Sequence, residues 1–199
     1  MKIIDKIKIE SPCLITEFKN HTLIKNDLLK LINDSKDQSH KWTQIDNYFS
    51  DNYTTDWHMN DNTERPWVKF FFSHITEHLN NIVKSLGYNK AAIKALWYQQ
   101  YLKNESHGWH THSENYTGVY YLEFNKNSPT TQVILPYDQN KKIDLNVKEG
   151  DFVVFPSFLI HRGAPNISED RKTIISFNFN YIDIENNLLL KLKNEQIPN

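Results

Sequence analysis

The stretch GDFVVFPSFLIHRG, residues 150–163, decides how this chain is read. Gly150-Asp151 marks a turn, and Phe152–Phe155 is an apolar run of aromatic and β-branched side chains. Pro156 ends that run, because proline cannot donate to a sheet ladder. A second short run, Leu159–Gly163, follows and carries His161. Similar runs recur at intervals of roughly 10–15 residues. They are Ile93–Tyr101, Trp109–His112, Gly118–Phe124, Gln132–Leu135, Ile143–Val147, Asp151–Phe155, Leu159–Gly163 and Thr173–Ile182. Short strands punctuated by turns in this way predict a mainly β core of the sandwich, barrel or jelly-roll kind.

Working outward toward the N-terminus, helices appear. Lys2–Phe18 holds two β-like runs (Ile3, Ile4, Ile7 and Ile9, then Leu14 and Ile15) broken at Ser11-Pro12. Ile24, Leu28, Leu31 and Ile32 mark one side of a short amphipathic helix. Residues 47–64, rich in Asn, Asp and Thr, read as a long loop. Pro66 opens a helix in which Phe71, Ile75, Leu79, Ile82, Val83 and Leu86 keep helical spacing until Gly87. Leu188–Leu192 predicts a terminal helix. No linker or repeat divides the chain. The expectation is one domain over 1–199, with N-terminal strands and supporting helices in 1–90, the β-core in 91–182 and a helix or tail in 183–199.

Composition excludes several function classes. Lys+Arg 23 against Asp+Glu 24 leaves a net charge of -1, with no surplus cation for nucleic acid or an anionic membrane. The longest apolar runs fall far short of the roughly 20 residues of a membrane span. Met1–Lys6 lacks the apolar core of an export signal, and the single Cys13 suits a reducing compartment. These features predict a cytoplasmic protein with no strong nucleic-acid signal and no membrane partner; the partner expected is a small-molecule substrate of unknown identity. The N-terminal strands offer an edge for a homodimer.

The chemistry concentrates in four residues. In an extended strand His110 and His112, at i and i+2, point to one face and can share a metal; two surface histidines are the plainer alternative. His161 supplies a third ligand. Arg171 lies ten residues beyond His161, and its planar fork suits bidentate capture of a carboxylate. Its plainer alternative is a surface pair with Glu169 or Asp170.

In combination, Tyr98–Tyr181 resembles the catalytic core of the Fe(II)/2-oxoglutarate-dependent oxygenases, most closely the small branch found in phages and marine bacteria. The resemblance rests on HTH at 110–112, TGVYYLEF at 117–124, GDFVVFPSFLIHRGAPN at 150–166 and RKTIISFNF at 171–179. It implies a distorted double-stranded β-helix, a jelly-roll or cupin-like fold flanked by α-helices. It also implies Fe(II), 2-oxoglutarate and O2, with hydroxylation, demethylation or desaturation of an unidentified substrate and release of succinate and CO2. A phage-encoded chain would act in the host cytoplasm. His110 then resembles the first iron ligand and His161 the distal one. Arg171 resembles the cation for the far carboxylate of 2-oxoglutarate, Thr173 its hydroxyl neighbour, Tyr120 a hydrogen-bond donor to that carboxylate, and Tyr101 a tyrosine beside the cosubstrate. For both tyrosines the alternative is core packing.

One departure stands out. The family carries His-x-Asp or His-x-Glu, where this chain has His112. Either His112 is itself a ligand, which its spacing favours, or Glu114 reaches in from the next loop. Trp57, His58 and Arg65 are candidates for substrate contact. Two other readings compete: a cupin-type three-histidine metalloenzyme that uses no keto acid, such as a thiol dioxygenase or isomerase, and a non-catalytic jelly-roll binding module. The oxygenase reading expects the Arg171 guanidinium inside the pocket that holds the imidazoles.

Overall fold

The computed structural model describes residues 11–35, 39–45 and 50–184. Two helices, α1 (His21–Asp34) and α2 (Pro66–Ser85), accompany strands β1 (Leu14–Glu17), β2 (His40–Ile45), β3 (Ser50–Thr55), β4 (Tyr88–Tyr101), β5 (His107–His110) and β6 (Tyr116–Glu123). The chain continues through β7 (Thr131–Leu135), β8 (Asp138–Asp144), β9 (Asp151–Pro156), β10 (His161–Gly163) and β11 (Lys172–Ile184). A seven-stranded sheet runs β1-β9-β6-β11-β4-β3-β2, and a four-stranded sheet runs β5-β10-β7-β8. Neighbouring strands pair antiparallel in both.

Each β-run expected from 91 to 182 overlaps a strand, although β5 stops short of His112, β8 begins before Ile143 and stops short of Val147, and β10 is only three residues long. The stretch 47–64 is a correction. It holds β3, which pairs with β2 and the end of β4, before a 3-10 turn at Trp57–Met59. Tyr53, Thr54 and Thr55 favour a pleated surface, and Tyr53 and Thr55 are buried. The run Ile3–Ile9 and the helix expected at Leu188–Leu192 lie outside the described residues. No helix among the described residues is long and apolar enough to cross a membrane.

The large sheet is buried on both faces, and this governs everything that follows. On one side α1 and α2 lay Ile24, Leu28, Ile32, Trp67, Phe71 and Ile75 onto Tyr120, Leu122, Phe152, Ile175 and Phe177. On the other side Tyr101, Val119, Tyr121, Val153, Phe155 and Ile174 meet Val133 of the small sheet. Side chains alternate between these two cores along each strand. At Gly118 an added Cβ would lie 2.1 Å from the Phe177 ring, so glycine is what lets β6 and β11 pack this closely on the helix side.

Candidate active site

His110 ends β5 and His161 begins β10, and the two are direct partners in the small sheet. His112 lies just past β5, where its N–H donates to the Ser157 carbonyl at 2.9 Å. One ligand atom from each of the three imidazoles comes within 4.8 Å of the others. The Nδ1–H of His110 donates to the Gly108 carbonyl at 2.7 Å, and that of His161 to the Leu159 carbonyl at 2.8 Å. A carbonyl can only accept, so both rings carry their proton on Nδ1 and keep Nε2 as a free lone pair. The Asn178 amide nitrogen sits 3.2 Å from His112 Nδ1 and 3.0 Å from Glu114 Oε2. Glu114 is thus tied to Asn178 and is not one of the converging groups.

Burial lowers the pKa of all three histidines, His112 to about 3, with His110 adding charge repulsion at His112 and His161. They are neutral at pH 7, the state in which imidazole binds a divalent metal. Beside them lies a small cavity lined by Trp97, Gln99, Tyr101, Thr131, Ile174 and Ser176. A fourth imidazole, His107, also lines it and stacks on His110 with ring centroids 3.8 Å apart. Sequence reasoning passed over His107, because its distance from His110 by three positions sets the two on opposite faces of a regular strand.

Three expectations need correction, and they share one cause. Arg171 does not enter the cavity: its Nε donates to Glu123 Oε2 at 2.8 Å and its Nη1 to Asn33 Oδ1 at 3.0 Å. Thr173 donates to the same Glu123 oxygen at 2.7 Å. Tyr120 lies in the helix-side core with its hydroxyl 2.6 Å from His21 Nδ1. All three sit on the helix side of the large sheet, one residue out of phase with the barrel interior. The residues in phase are Lys172, in register with Tyr101, and Tyr121, whose hydroxyl is 2.6 Å from Thr131 Oγ1.

Lys172 is 1% exposed. Its ammonium lies 4.7 Å over the Tyr101 ring and donates to the Pro129 carbonyl at 3.1 Å. No carboxylate among the described residues pairs with it. Desolvation lowers its pKa to about 7. Tyr101 lines the cavity, and its buried hydroxyl has no hydrogen-bond partner. A buried lysine with no carboxylate partner, packed on a cavity-lining phenol whose hydroxyl is orphaned, with three imidazoles along the same cavity, fits a metal and an organic diacid bound together.

The substrate-side candidates separate. Trp57 packs edge-on against Trp97 at 4.4 Å, and Trp97 lies 5.9 Å from His112. His58 turns to His40, with 2.9 Å between their Nδ1 atoms. Arg65 is wholly buried: it pairs with Asp56 and donates to the Leu96 carbonyl at 2.7 Å, so it holds the loop before α2 and meets no substrate.

Residues 95–178 match a family model described as "Putative 2OG-Fe(II) oxygenase". The matched span is the β4–β11 core, which is similar to the Fe(II)/2-oxoglutarate-dependent oxygenases, and the chain has the double-stranded β-helix fold of that class. Among solved structures it is similar to a prolyl-4-hydroxylase of Pseudomonas putida, with a TM-score of 0.59 and 12% identity over 85% of this chain and 92% of that one. A viral collagen prolyl hydroxylase from Paramecium Bursaria Chlorella virus-1, solved with 2OG, gives 0.56 and 15% over 85% and 96%. AviO1 of Streptomyces viridochromogenes gives 0.61 and 12% over 84% and 89%. A sequence comparison with curated proteins finds no match.

Proposed function

We propose that His110, His112 and His161 hold the Fe(II), that Lys172 and Tyr101 hold the far carboxylate of 2-oxoglutarate, and that the enzyme hydroxylates a C–H bond of a small molecule or peptide. The convergence of three neutral imidazoles beside a cavity whose lining phenol packs against an unpaired buried lysine carries this reading. When bound, Fe(II) supplies the oxidising chemistry, coupling O2 to C–H oxidation as 2-oxoglutarate leaves as succinate and CO2.

The protein's own groups set the conditions for that reaction. Backbone carbonyls at Gly108 and Leu159 orient two ligands, so little reorganisation accompanies metal entry. The Lys172 amine takes up a proton when a carboxylate comes beside it, which ties its protonation to cosubstrate binding. Trp57 and Trp97 form an aromatic wall on the His112 side, where substrate would lie against carbon rather than bulk water. A ferrous cofactor and the single cysteine suit a reducing compartment such as the cytoplasm. A three-histidine enzyme that uses no keto acid leaves Lys172 without a task.

The test is anaerobic. Fe(II) and 2-oxoglutarate added together should produce the weak visible charge-transfer band of a chelated keto acid, and His161→Ala should lose both the band and metal binding. A protein that binds Fe(II) tightly and shows no band with saturating 2-oxoglutarate overturns the oxygenase assignment of this pocket.

A further inference from the structure

His107 and His110 both face the cavity although they are three residues apart, which a regular strand forbids. The pairing of β5 with β10 explains it. His110 opposes His161 and His107 opposes Gly163, so Gly108 and Trp109 together face the single residue Arg162. This is a β-bulge, the device that re-aims side chains beside functional sites. The extra residue reverses the alternation, and Trp109 packs instead against Arg162, whose guanidinium carbon is 4.6 Å from the indole centroid.

Both ends of the bulged peptide are held. The Gly108 N–H donates to Asp51 Oδ1 at 2.7 Å, while the Gly108 carbonyl accepts from His110 Nδ1 at 2.7 Å. Asp51 sits on β3, and β3 is anchored beside β5 by the Asn52–Ser106 backbone pair at 2.8 and 3.1 Å. His107 is fixed as firmly, with its Nδ1 2.9 Å from the Gln99 amide nitrogen and the Gln99 oxygen accepting from Ser176 Oγ at 3.1 Å.

From this geometry we infer that Asp51 and His107 are positioning residues for the metal centre. Asp51 holds the bulge that aims His110, and His107 covers the face of the His110 ring so that it keeps one orientation. The inference rests on the reading of His110 as a ligand. It assigns a task in the catalytic core to the N-terminal region, through a carboxylate that touches neither metal nor cosubstrate.

Metal affinity of the metal-free protein tests it, measured by anaerobic Fe(II) titration with tryptophan fluorescence as the signal, since Trp97 adjoins His112. Asp51→Ala and His107→Ala should each weaken Fe(II) binding by about tenfold to a hundredfold, the range for partners behind a ligand. Asp51→Asn keeps an acceptor oxygen and His107→Phe keeps a stacking face, so both should stay within about threefold of wild type, and all four should melt near wild type without metal. Should Asp51→Ala fail to fold, the His107 pair carries the same test. Wild-type affinity in both alanine variants, with affinity lost in His110→Ala, overturns the inference and leaves the metal reading intact. Loss of affinity in the Asn and Phe variants as well overturns it too. Wild-type affinity in His110→Ala removes the metal reading and this inference together.

Discussion

The two faces of strand β11 do opposite work from adjacent residues. Facing the barrel, Lys172 packs on the cavity-lining Tyr101, while Ile174, Ser176 and Asn178 meet the cavity, the imidazoles or the residues that hold them. Facing the helices, Thr173, Ile175, Phe177 and Phe179 pack or pair against α1, α2 and Glu123. The barrel face leaves a cation without a counterion and a phenol without a partner. On the helix face the polar groups of Arg171, Thr173 and Tyr120 are all satisfied. Unsatisfied buried polar groups are costly, so a fold that keeps them holds them for something that binds.

The largest effect should come from setting Lys172, which opens that strand, against Arg171 just before it. Lys172→Met should weaken 2-oxoglutarate by about a hundredfold or more while sparing Fe(II), because a buried carboxylate loses its charged partner. Arg171→Ala breaks a pair whose side chains are 28% and 27% exposed, and such pairs are worth about 0–1 kcal/mol. Its keto-acid affinity, read from the charge-transfer band, should stay within about twofold of wild type. The reverse ranking would return Arg171 to the site.

The pH dependence sharpens the same contrast. The Lys172 amine titrates at about 7 in the ligand-free protein, while an unfolded lysine titrates at 10.5. Binding a carboxylate at higher pH must take up a proton, so the apparent Kd for 2-oxoglutarate should rise by up to about tenfold per pH unit above 7. A guanidinium anchor would leave the profile flat there. The linkage to stability has its own sign. With a folded pKa below the unfolded one, the unfolded chain binds more protons between pH 7 and 10.5, so ligand-free stability rises across that window. Lys172→Met should remove that part of the slope in denaturant titrations at several pH values.

Much of this molecule was legible beforehand, and the error has a physical origin. The strands from Ile93 to Ile182 and the helix from Pro66 are marked by turn residues and by spacing, which do not depend on what packs where. The His110, His112 and His161 set was found because two of its members share a local pattern. Parity was not legible. A strand buried on both faces reads as a continuous apolar run, so TGVYYLEF and RKTIISFNF do not say which alternate set faces the barrel. The choice between Arg171 and Lys172, and between Tyr120 and Tyr121, hung on that phase. His107 was hidden by a bulge, which breaks the alternation without an obvious mark beyond Gly108.

A steric change on the helix face should act on stability alone. Gly118→Ala places a methyl 2.1 Å from the Phe177 ring, and overpacking of this kind costs about 1–3 kcal/mol. The melting temperature should fall by roughly 2–12 °C for a chain of this size, with the charge-transfer band intact at low temperature. A lost band in well-folded Gly118→Ala protein would mean that the two faces are not independent.

The finest test uses two hydroxyls of like chemistry and opposite placement. Tyr120→Phe removes a satisfied bond to His21, made at 2.6 Å, and should cost about 1 kcal/mol of stability with no change in keto-acid affinity. Tyr101→Phe removes a buried hydroxyl that has no partner in the ligand-free protein. Deleting an unsatisfied group relieves a penalty, so ligand-free stability should hold or rise by up to about 1 kcal/mol, while 2-oxoglutarate binds several-fold more weakly. The opposite signs in stability are what matter, because both changes delete one oxygen from a buried tyrosine. If Tyr101→Phe destabilises the ligand-free protein as Tyr120→Phe does, its hydroxyl has a structural partner and the barrel face is not poised for a ligand at that point.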